Sequence, residues 1–122
     1  PRCGIPLRSR GLLTGESRNE FGVKLDKNGY APSLFEHEPF CCFRCYRFGD
    51  TARHEIYGGA LRSKSKQYGL WINICPDCHD AIHASGEKQE FYHKLGQQRA
   101  MAHYHWTVSD FRRRFYKNYL ED

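Results

Sequence analysis

Four of the six cysteines in the sequence are spaced as metal ligands. Cys42 and Cys45 form one Cys-x-x-Cys pair, and Cys75 and Cys78 form a second pair after residues 46–74. A tight turn lets two such thiolates reach one ion at about 2.3 Å, and tetrahedral zinc takes four ligands. The two pairs therefore predict one structural Zn²⁺ site in a reducing compartment, with disulfides as the less favoured alternative. The other two cysteines are expected to be free thiols: Cys3 and Cys41.

Histidines next to the cysteine pairs could form a second metal site. His79 and His83 are four residues apart, so on a helix they lie on one face and can bind one ion. The zinc site would hold His79 beside the strand that carries His54 and Glu55. We therefore expect His54, His79 and His83 to bind a catalytic divalent cation such as Mg²⁺, Mn²⁺, Ni²⁺ or Zn²⁺, with Glu55 as the alternative ligand to His54. The alternative is a helix-terminal pair of histidines that binds no metal.

Two strands and a short helix are predicted to position these side chains. A β-like run at 51–57 ends in Gly58-Gly59, and a second apolar strand covers residues 70–74. A short helical stretch at 80–84 ends at Ser85-Gly86. The predicted loop between the strands supplies basic side chains that are expected to neutralise backbone phosphates: Arg62, Lys64 and Lys66.

The C-terminal third is predicted to be helical. Residues 87–104 form one helix with Phe91 and Leu95 near one face, although Gly96 costs it about 1 kcal/mol relative to Ala. A capping box at 107–110 begins a last helix. Two basic side chains of that last helix could contact phosphates: Arg112 and Arg113.

Residues 1–40 are expected to form a β-rich arm. Phe21, Val23 and Leu25 alternate with polar residues before Asn28-Gly29, a turn signal typical of a β-hairpin. Because an isolated hairpin is only marginally stable, the arm must pack on the zinc unit or on a partner. A structural role is the default interpretation. The alternative is a contact surface for the substrate, for another protein or for a second copy in a homodimer.

The composition bounds the class of protein. The 122 residues carry a net charge of +5, with a pI of about 9.0 and a mean hydropathy of −0.79. This mild basicity suits an anionic partner such as nucleic acid without requiring one. No apolar run approaches the roughly 20 residues that span a membrane and no secretory signal is visible, so a cytoplasmic location is expected. The length predicts a single domain over 1–122, divided into the arm at 1–40, a core at 41–86 and helices at 87–122.

The central segment resembles a known family. HEIYGGALRSKSKQYGLWINICPDCH, preceded by the first cysteine pair, is similar to the small, often phage-encoded branch of the HNH (ββα-metal) endonuclease superfamily, and the resemblance covers residues 42–120. It implies an α+β fold with a zinc-stapled, treble-clef-like ββα-metal core, to which the N-terminal β-hairpin arm and the C-terminal helices are added. It also implies metal-dependent hydrolysis of DNA, inside a bacterial host if the protein is phage-encoded.

The site residues of this family carry over in two ways. Anchoring the pattern on Ile56 places His54 in the metal position and Glu55 in the general-base position. Anchoring it on the histidine makes His54 the base and leaves Arg53 where a ligand should be. In both cases His79 fits the metal-binding histidine at the start of the helix. The four cysteines that fit the structural zinc are Cys42, Cys45, Cys75 and Cys78.

The leading hypothesis is a metal-dependent DNA endonuclease. The family's central Asn falls on Leu70 in this chain, so Asn73 is the amide expected to orient the attacking water. The alternatives are a non-catalytic zinc module that binds DNA or a protein, and a phage-encoded inhibitor or accessory factor that uses the arm as its contact surface. The basic residues expected to contact nucleic acid are Arg53, Arg62, Lys64, Lys66, Arg112 and Arg113.

Overall fold

A two-stranded sheet and a set of helices form the part of the chain that the computed structural model describes, residues 17–35 and 38–120. The prediction for Cys3 lies outside these residues. This is a small α+β fold, as predicted, and among its described helices none combines the length and apolarity that a bilayer crossing requires. The elements are β1 (Ala52–Glu55), a 3-10 helix (Gly59–Leu61), α1 (Arg62–Gln67), β2 (Trp71–Ile74), α2 (Pro76–His83), α3 (Gly86–Tyr104) and α4 (Val108–Phe115).

The register of the antiparallel pair β1–β2 decides which side chains share a face of the sheet. Arg53 lies opposite Asn73, and His54 lies opposite Ile72, which is fully buried. Opposed residues share a face, and neighbours along a strand alternate. His54 therefore lies on the face of Ile72, while Glu55 lies on the other face together with Arg53 and Asn73.

The segment between the strands is helical, so the prediction of a loop there is wrong. α1 is rich in Arg, Lys and Gln, whose unbranched side chains lose little rotamer freedom in a helix. Ser65 is buried in α1, where its hydroxyl donates to the Leu70 carbonyl at 2.6 Å and accepts from the Tyr57 amide at 3.2 Å. These two bonds connect α1 to the end of β1 and to the start of β2.

α2 begins earlier than predicted, at Pro76 instead of residue 80. The Cys75 sulfur accepts from the Cys78 amide at 3.4 Å, and proline is favoured at the first helical position because its missing N–H is not needed there. The second cysteine pair is thus the N-terminal cap of the helix that carries His79 and His83.

The arm does not form the predicted hairpin within residues 17–35. It carries an isolated bridge between Arg18 and Lys24. The Asn19 carboxamide accepts from the backbone amides of Phe21 and Val23 at 2.9 and 3.0 Å, and Asp26 accepts from later amides in the same way. Local side-chain bonds of this kind compete with a strand ladder for the backbone donors.

The described part of the arm packs on the core of the same chain. Phe21 stacks on Tyr104 with ring centroids 4.9 Å apart. The Trp71 indole donates to the Ala31 carbonyl at 2.7 Å. Residues on both sides of the bend at 26–30 are therefore held against the folded chain.

The buried face of α3 differs from the predicted one. Phe91 is 60% exposed, whereas Tyr92, Gly96 and Ala100 are buried. Gly96 allows α3 to approach the end of β1, because a Cβ atom there would lie 2.8 Å from Cγ2 of Ile56. This close contact involves a segment far away in the chain, so the residue pattern of α3 alone does not reveal which of its faces is buried.

Gly96→Ala is expected to destabilise the protein. Alanine favours a helix over glycine by about 1 kcal/mol, but overpacking a tight core contact typically costs about 1–3 kcal/mol. Urea denaturation would measure the net loss, with Gly86→Ala as the matched control in the same helix, because nothing lies within 4 Å of a Cβ placed there. Increased stability of Gly96→Ala would contradict the close approach.

The ion pair between Glu20 and Arg114 is expected to make docking of the arm pH-dependent. Arg114 donates to both carboxylate oxygens at 2.8 and 2.7 Å, and chiefly for this reason the pKa of Glu20 falls from 4.5 to about 2. A lowered folded-state pKa contributes stability above pH 4.5, and this contribution is lost as the pH falls toward 2. Because the carboxylate is 40% exposed, we expect Glu20→Gln to lose only about 0.5–1 kcal/mol at pH 7.

Thermal melts of Glu20→Gln and of the unchanged protein between pH 2 and 7 would measure this difference, which should shrink to nothing near pH 2. Glu90→Gln is the control, since the Glu90–Lys94 pair is 3.7 Å long and exposed. A gap between Glu20→Gln and the unchanged protein that stays constant over this range would rule out the ion pair as its source.

Candidate metal centres

The sulfur atoms of four cysteines converge at one point, with all of them within 4.8 Å of one another. The Cys45 and Cys75 sulfurs are 3.9 Å apart, and two sulfurs bound to one tetrahedral zinc at about 2.3 Å would be about 3.8 Å apart. This set of donors therefore fits a structural zinc ion. The cysteines, as the sequence predicts, are Cys42, Cys45, Cys75 and Cys78.

Two arginines, one within and one just after the first cysteine pair, contact these sulfurs. Arg47 lies 3.3 Å from the Cys45 sulfur through Nε, and Arg44 lies 3.4 Å from the Cys78 sulfur. The Arg47 guanidinium lowers the pKa of Cys45 to about 6, whereas burial raises the pKa of Cys78 to about 12. At neutral pH the Cys78 thiol would therefore be deprotonated only when a metal ion binds its sulfur. The arginines offset the net negative charge that four thiolates leave on a zinc ion.

The described cysteines do not form disulfides, so the less favoured alternative is not seen in residues 17–35 and 38–120. Cys41 is a buried free thiol, as predicted, and lies outside the four-sulfur cluster although it precedes Cys42 directly.

The imidazoles of His54, His79 and His83 also converge. Their nearest ring nitrogens all lie within 4.8 Å of one another, and the Nε2 atoms of His79 and His83 are 3.1 Å apart. The His54 ring centroid is 5.6 Å from that of His79 and 5.7 Å from that of His83. β1 supplies one ring and a single face of α2 supplies the other two, the arrangement that the sequence predicts.

The chemistry of this cluster fits a metal ion. Three imidazoles leave one tetrahedral position open, which is typical of sites where a metal also binds water or substrate. Burial, followed by the charges of His79 and His83, lowers the pKa of His54 to about 4, so His54 is neutral at pH 7, as a ligand must be. Imidazole suits Zn²⁺ and Ni²⁺, whereas Mg²⁺ takes oxygen ligands, so Mg²⁺ fits least among the expected ions.

Glu55 does not join the histidine cluster. Its carboxylate is 13% exposed, accepts a hydrogen bond from the Tyr30 hydroxyl at Oε2, and pairs with Arg62 at 3.3 Å through Oε1. Burial and Glu55 raise the pKa of Tyr30 to about 12, which keeps the phenol protonated as the donor. Both carboxylate oxygens are therefore engaged, although Glu55 still borders the cavity that the histidines line.

Asn73 lies away from the histidines. It pairs with Arg53 across the sheet, on the face opposite His54, and borders a separate cavity with Trp71. Leu70, where the resembled family has its central Asn, is fully buried and accepts from the Ile56 amide at 3.0 Å through its backbone. Position 70 has no side-chain amide, and the side-chain amide of Asn73 lies away from the histidine cluster.

The residues predicted to contact nucleic acid separate into three groups. Arg53 and Arg62 border the histidine cavity, whose volume is about 270 Å³. Lys64 donates to the Tyr116 hydroxyl at 3.0 Å, and Lys66 donates to the Asn28 carbonyl at 3.2 Å. These lysines lie on α1 outside that cavity lining. The remaining two are exposed on α4 and border a shallow surface depression: Arg112 and Arg113.

Sequence reasoning missed one histidine of the cavity. His93, on α3, borders it together with Gln89 and Tyr92. These three residues are spaced i, i+3 and i+4 and so share one face of the helix. That spacing is the available signal, but it becomes informative only once α3 is known to pack beside α2.

Comparisons of the chain with protein-family models, with curated proteins and with solved structures gave no match in any of the three. The conclusions about the site therefore come from its geometry: a small α+β protein holds four cysteines that could bind zinc, and three histidines that could bind a second ion.

Proposed function

We propose that this protein is a metal-dependent endonuclease of the HNH (ββα-metal) type that hydrolyses phosphodiester bonds in DNA. The observation that carries the proposal is the convergence of His54, His79 and His83 in one cavity that Arg53 and Arg62 also border. Three imidazole nitrogens and neighbouring guanidinium groups suit a metal ion and a phosphate together.

The family pattern allows His54 to be either a metal ligand or the general base, and the position of His54 favours the first role. Its ring nitrogen lies in the cluster with those of His79 and His83. A nitrogen bound to an ion cannot also accept a proton, so His54 is assigned as a ligand and not as the general base. This assignment agrees with the metal position that anchoring the family pattern on Ile56 gives to His54. The same anchoring makes Glu55 the general base, and the contacts of Glu55 with Tyr30 and Arg62 speak against that role.

A divalent ion in the cluster would stabilise the charge that develops on the phosphoryl group and on the leaving 3′ oxygen. Arg62 is the cation of the chain that binds and orients the same phosphate. Glu55 holds Arg62 through Nε, and the terminal nitrogens of its guanidinium stay available as donors. Arg53 borders the same cavity, but Asp26 at 2.8 Å and the Trp71 ring hold its guanidinium on the face of the sheet opposite His54. In this arrangement Glu55 positions Arg62.

DNA is the proposed substrate because the protein has a net charge of +5 and presents further cations on α1 and α4. Such contacts neutralise backbone phosphates and carry no base-sequence information. A homodimer or a protein partner that binds through residues 1–40 stays a prediction.

The test is nicking of supercoiled plasmid by purified protein with Mn²⁺, Ni²⁺, Zn²⁺ or Mg²⁺. We expect nicking with at least one transition metal and its loss in the double variant His54→Ala/His79→Ala. The matched control is His103→Ala, an exposed histidine on α3 outside the cavity lining. Intact plasmid with every metal, or nicking that persists in the double variant, would reject the proposal.

A second candidate is a non-catalytic zinc module that binds DNA or a protein. The position of Asn73 on the far face of the sheet favours it, as do the two partners that occupy Glu55. Such a module needs the four thiolates but not the three imidazoles, so the number of metal ions bound separates it from the endonuclease.

A further inference from the structure

His93 borders the histidine cavity without belonging to the three-histidine cluster. Its ring is half-buried and stacks on Tyr57, with centroids 5.2 Å apart at 21°, while Tyr119 contacts it at 4.9 Å. Burial lowers the pKa of His93, and the nearby Ile56 backbone carbonyl opposes this with a smaller raising effect. A neutral imidazole has one N–H and one nitrogen with a free lone pair, which can accept a proton.

The other proton acceptors of the cavity have other roles. The ring nitrogens of His54, His79 and His83 lie where an ion would bind them. Glu55 accepts from Tyr30 and from an arginine, so each of its oxygens is engaged. Among the described titratable side chains of this cavity, His93 combines a fixed ring with a nitrogen that neither the proposed ion nor a hydrogen bond to a neighbour occupies.

We infer that His93 is the general base of the proposed reaction, and this inference rests on the proposed function. The free ring nitrogen takes a proton from the attacking water as the water oxygen bonds to phosphorus. The bond from phosphorus to the 3′ oxygen then breaks, and the leaving oxygen takes a proton from solvent. Imidazolium returns its proton to solvent, so the net reaction consumes one water and yields a 5′-phosphate and a 3′-hydroxyl.

The surroundings of His93 suit this role. Burial, followed by the charge of Lys117, lowers its pKa, and the ring is therefore neutral at pH 7 and able to accept a proton. His93 and His54 line the same cavity, and a positive charge on His93 lowers the pKa of His54. The titratable and charged groups that face His93 are Glu90, Lys117, Tyr57, Tyr119 and His54.

The test compares His93→Gln and His93→Ala with the unchanged protein. Glutamine retains a polar N–H donor but has no basic nitrogen. We expect both variants to keep the same number of bound metal ions by calorimetry and the same DNA affinity by fluorescence anisotropy before metal addition. Single-turnover cleavage should fall by roughly 10²–10⁴-fold. The acidic limb of the pH–rate profile should disappear, and added imidazole should partly restore cleavage by His93→Ala.

An unchanged rate and pH profile in His93→Gln would overturn the inference while leaving the endonuclease in place. A lower rate accompanied by loss of a metal ion or of DNA binding, without rescue by imidazole, would assign His93 a structural role and overturn it too. Absence of cleavage by the unchanged protein with every metal would reject the proposed function, and the inference with it.

Discussion

Cys42→Ser is expected to release the structural zinc and to unfold the core around β1, β2 and α2. The Cys42 side chain is fully buried, and its sulfur is one of four donors whose ion would connect residues 42–45 to the start of α2. Structural zinc contributes about 10–16 kcal/mol of folding free energy in small zinc-dependent units, which is comparable to or larger than the roughly 5–15 kcal/mol stability of a whole domain. Circular dichroism and metal analysis of the purified variant would measure both effects.

Cys41→Ser is the matched control, because Cys41 is a buried neighbour in the same turn but lies outside the cluster. It should keep its zinc and lose no more than about 1–3 kcal/mol, the cost of burying a weakly paired hydroxyl. A strong chelator should reproduce the effect of Cys42→Ser in the unchanged protein. If Cys42→Ser keeps the metal content and melting temperature of the control, the four-sulfur site has no structural role.

The parts of the site that the sequence predicts are those fixed by short-range spacing. Two thiolates separated by two residues can reach one ion, and two histidines four apart on a helix share a face, whatever the rest of the chain does. Strand alternation also places His54 and Glu55 on opposite faces, and the regular register of the sheet preserves this. Alternation alone does not say which of the two faces α2. His54 lies opposite the buried Ile72, and its ring meets His79 and His83 of α2.

The missed features depend on contacts between distant segments. Tyr30 reaches Glu55 because the arm folds back over the sheet, and the arm does so through bonds made by Asn19 and Asp26 in place of a hairpin. His93 enters the cavity because Gly96 allows α3 to pack closely against the end of β1. Neither the Tyr30–Glu55 contact nor the position of His93 follows from residue spacing within one segment. Spacing therefore predicts the candidate metal ligands but not the residues that surround them.

His79→Ala is expected to abolish binding of a second metal ion while the thiolate zinc stays bound. His79 contributes one of three imidazoles that converge within 4.8 Å. Loss of a hydrogen-bonding partner behind a ligand typically weakens metal binding by about 10–100-fold, so loss of a ligand itself should weaken it by more than about 100-fold. Titration of protein that carries one equivalent of Zn²⁺ with Ni²⁺ or Mn²⁺ by calorimetry would show one further equivalent in the unchanged protein and none in the variant.

His103→Ala should bind that further equivalent normally, because His103 lies on the exposed face of α3 outside the cluster. Binding of a second ion that survives His79→Ala would place that ion elsewhere in the protein. A total of one equivalent in the unchanged protein is the outcome expected of a non-catalytic zinc module, since four thiolates account for it. The stoichiometry therefore distinguishes the two candidate functions before any substrate is added, because only the endonuclease needs the imidazoles to hold an ion.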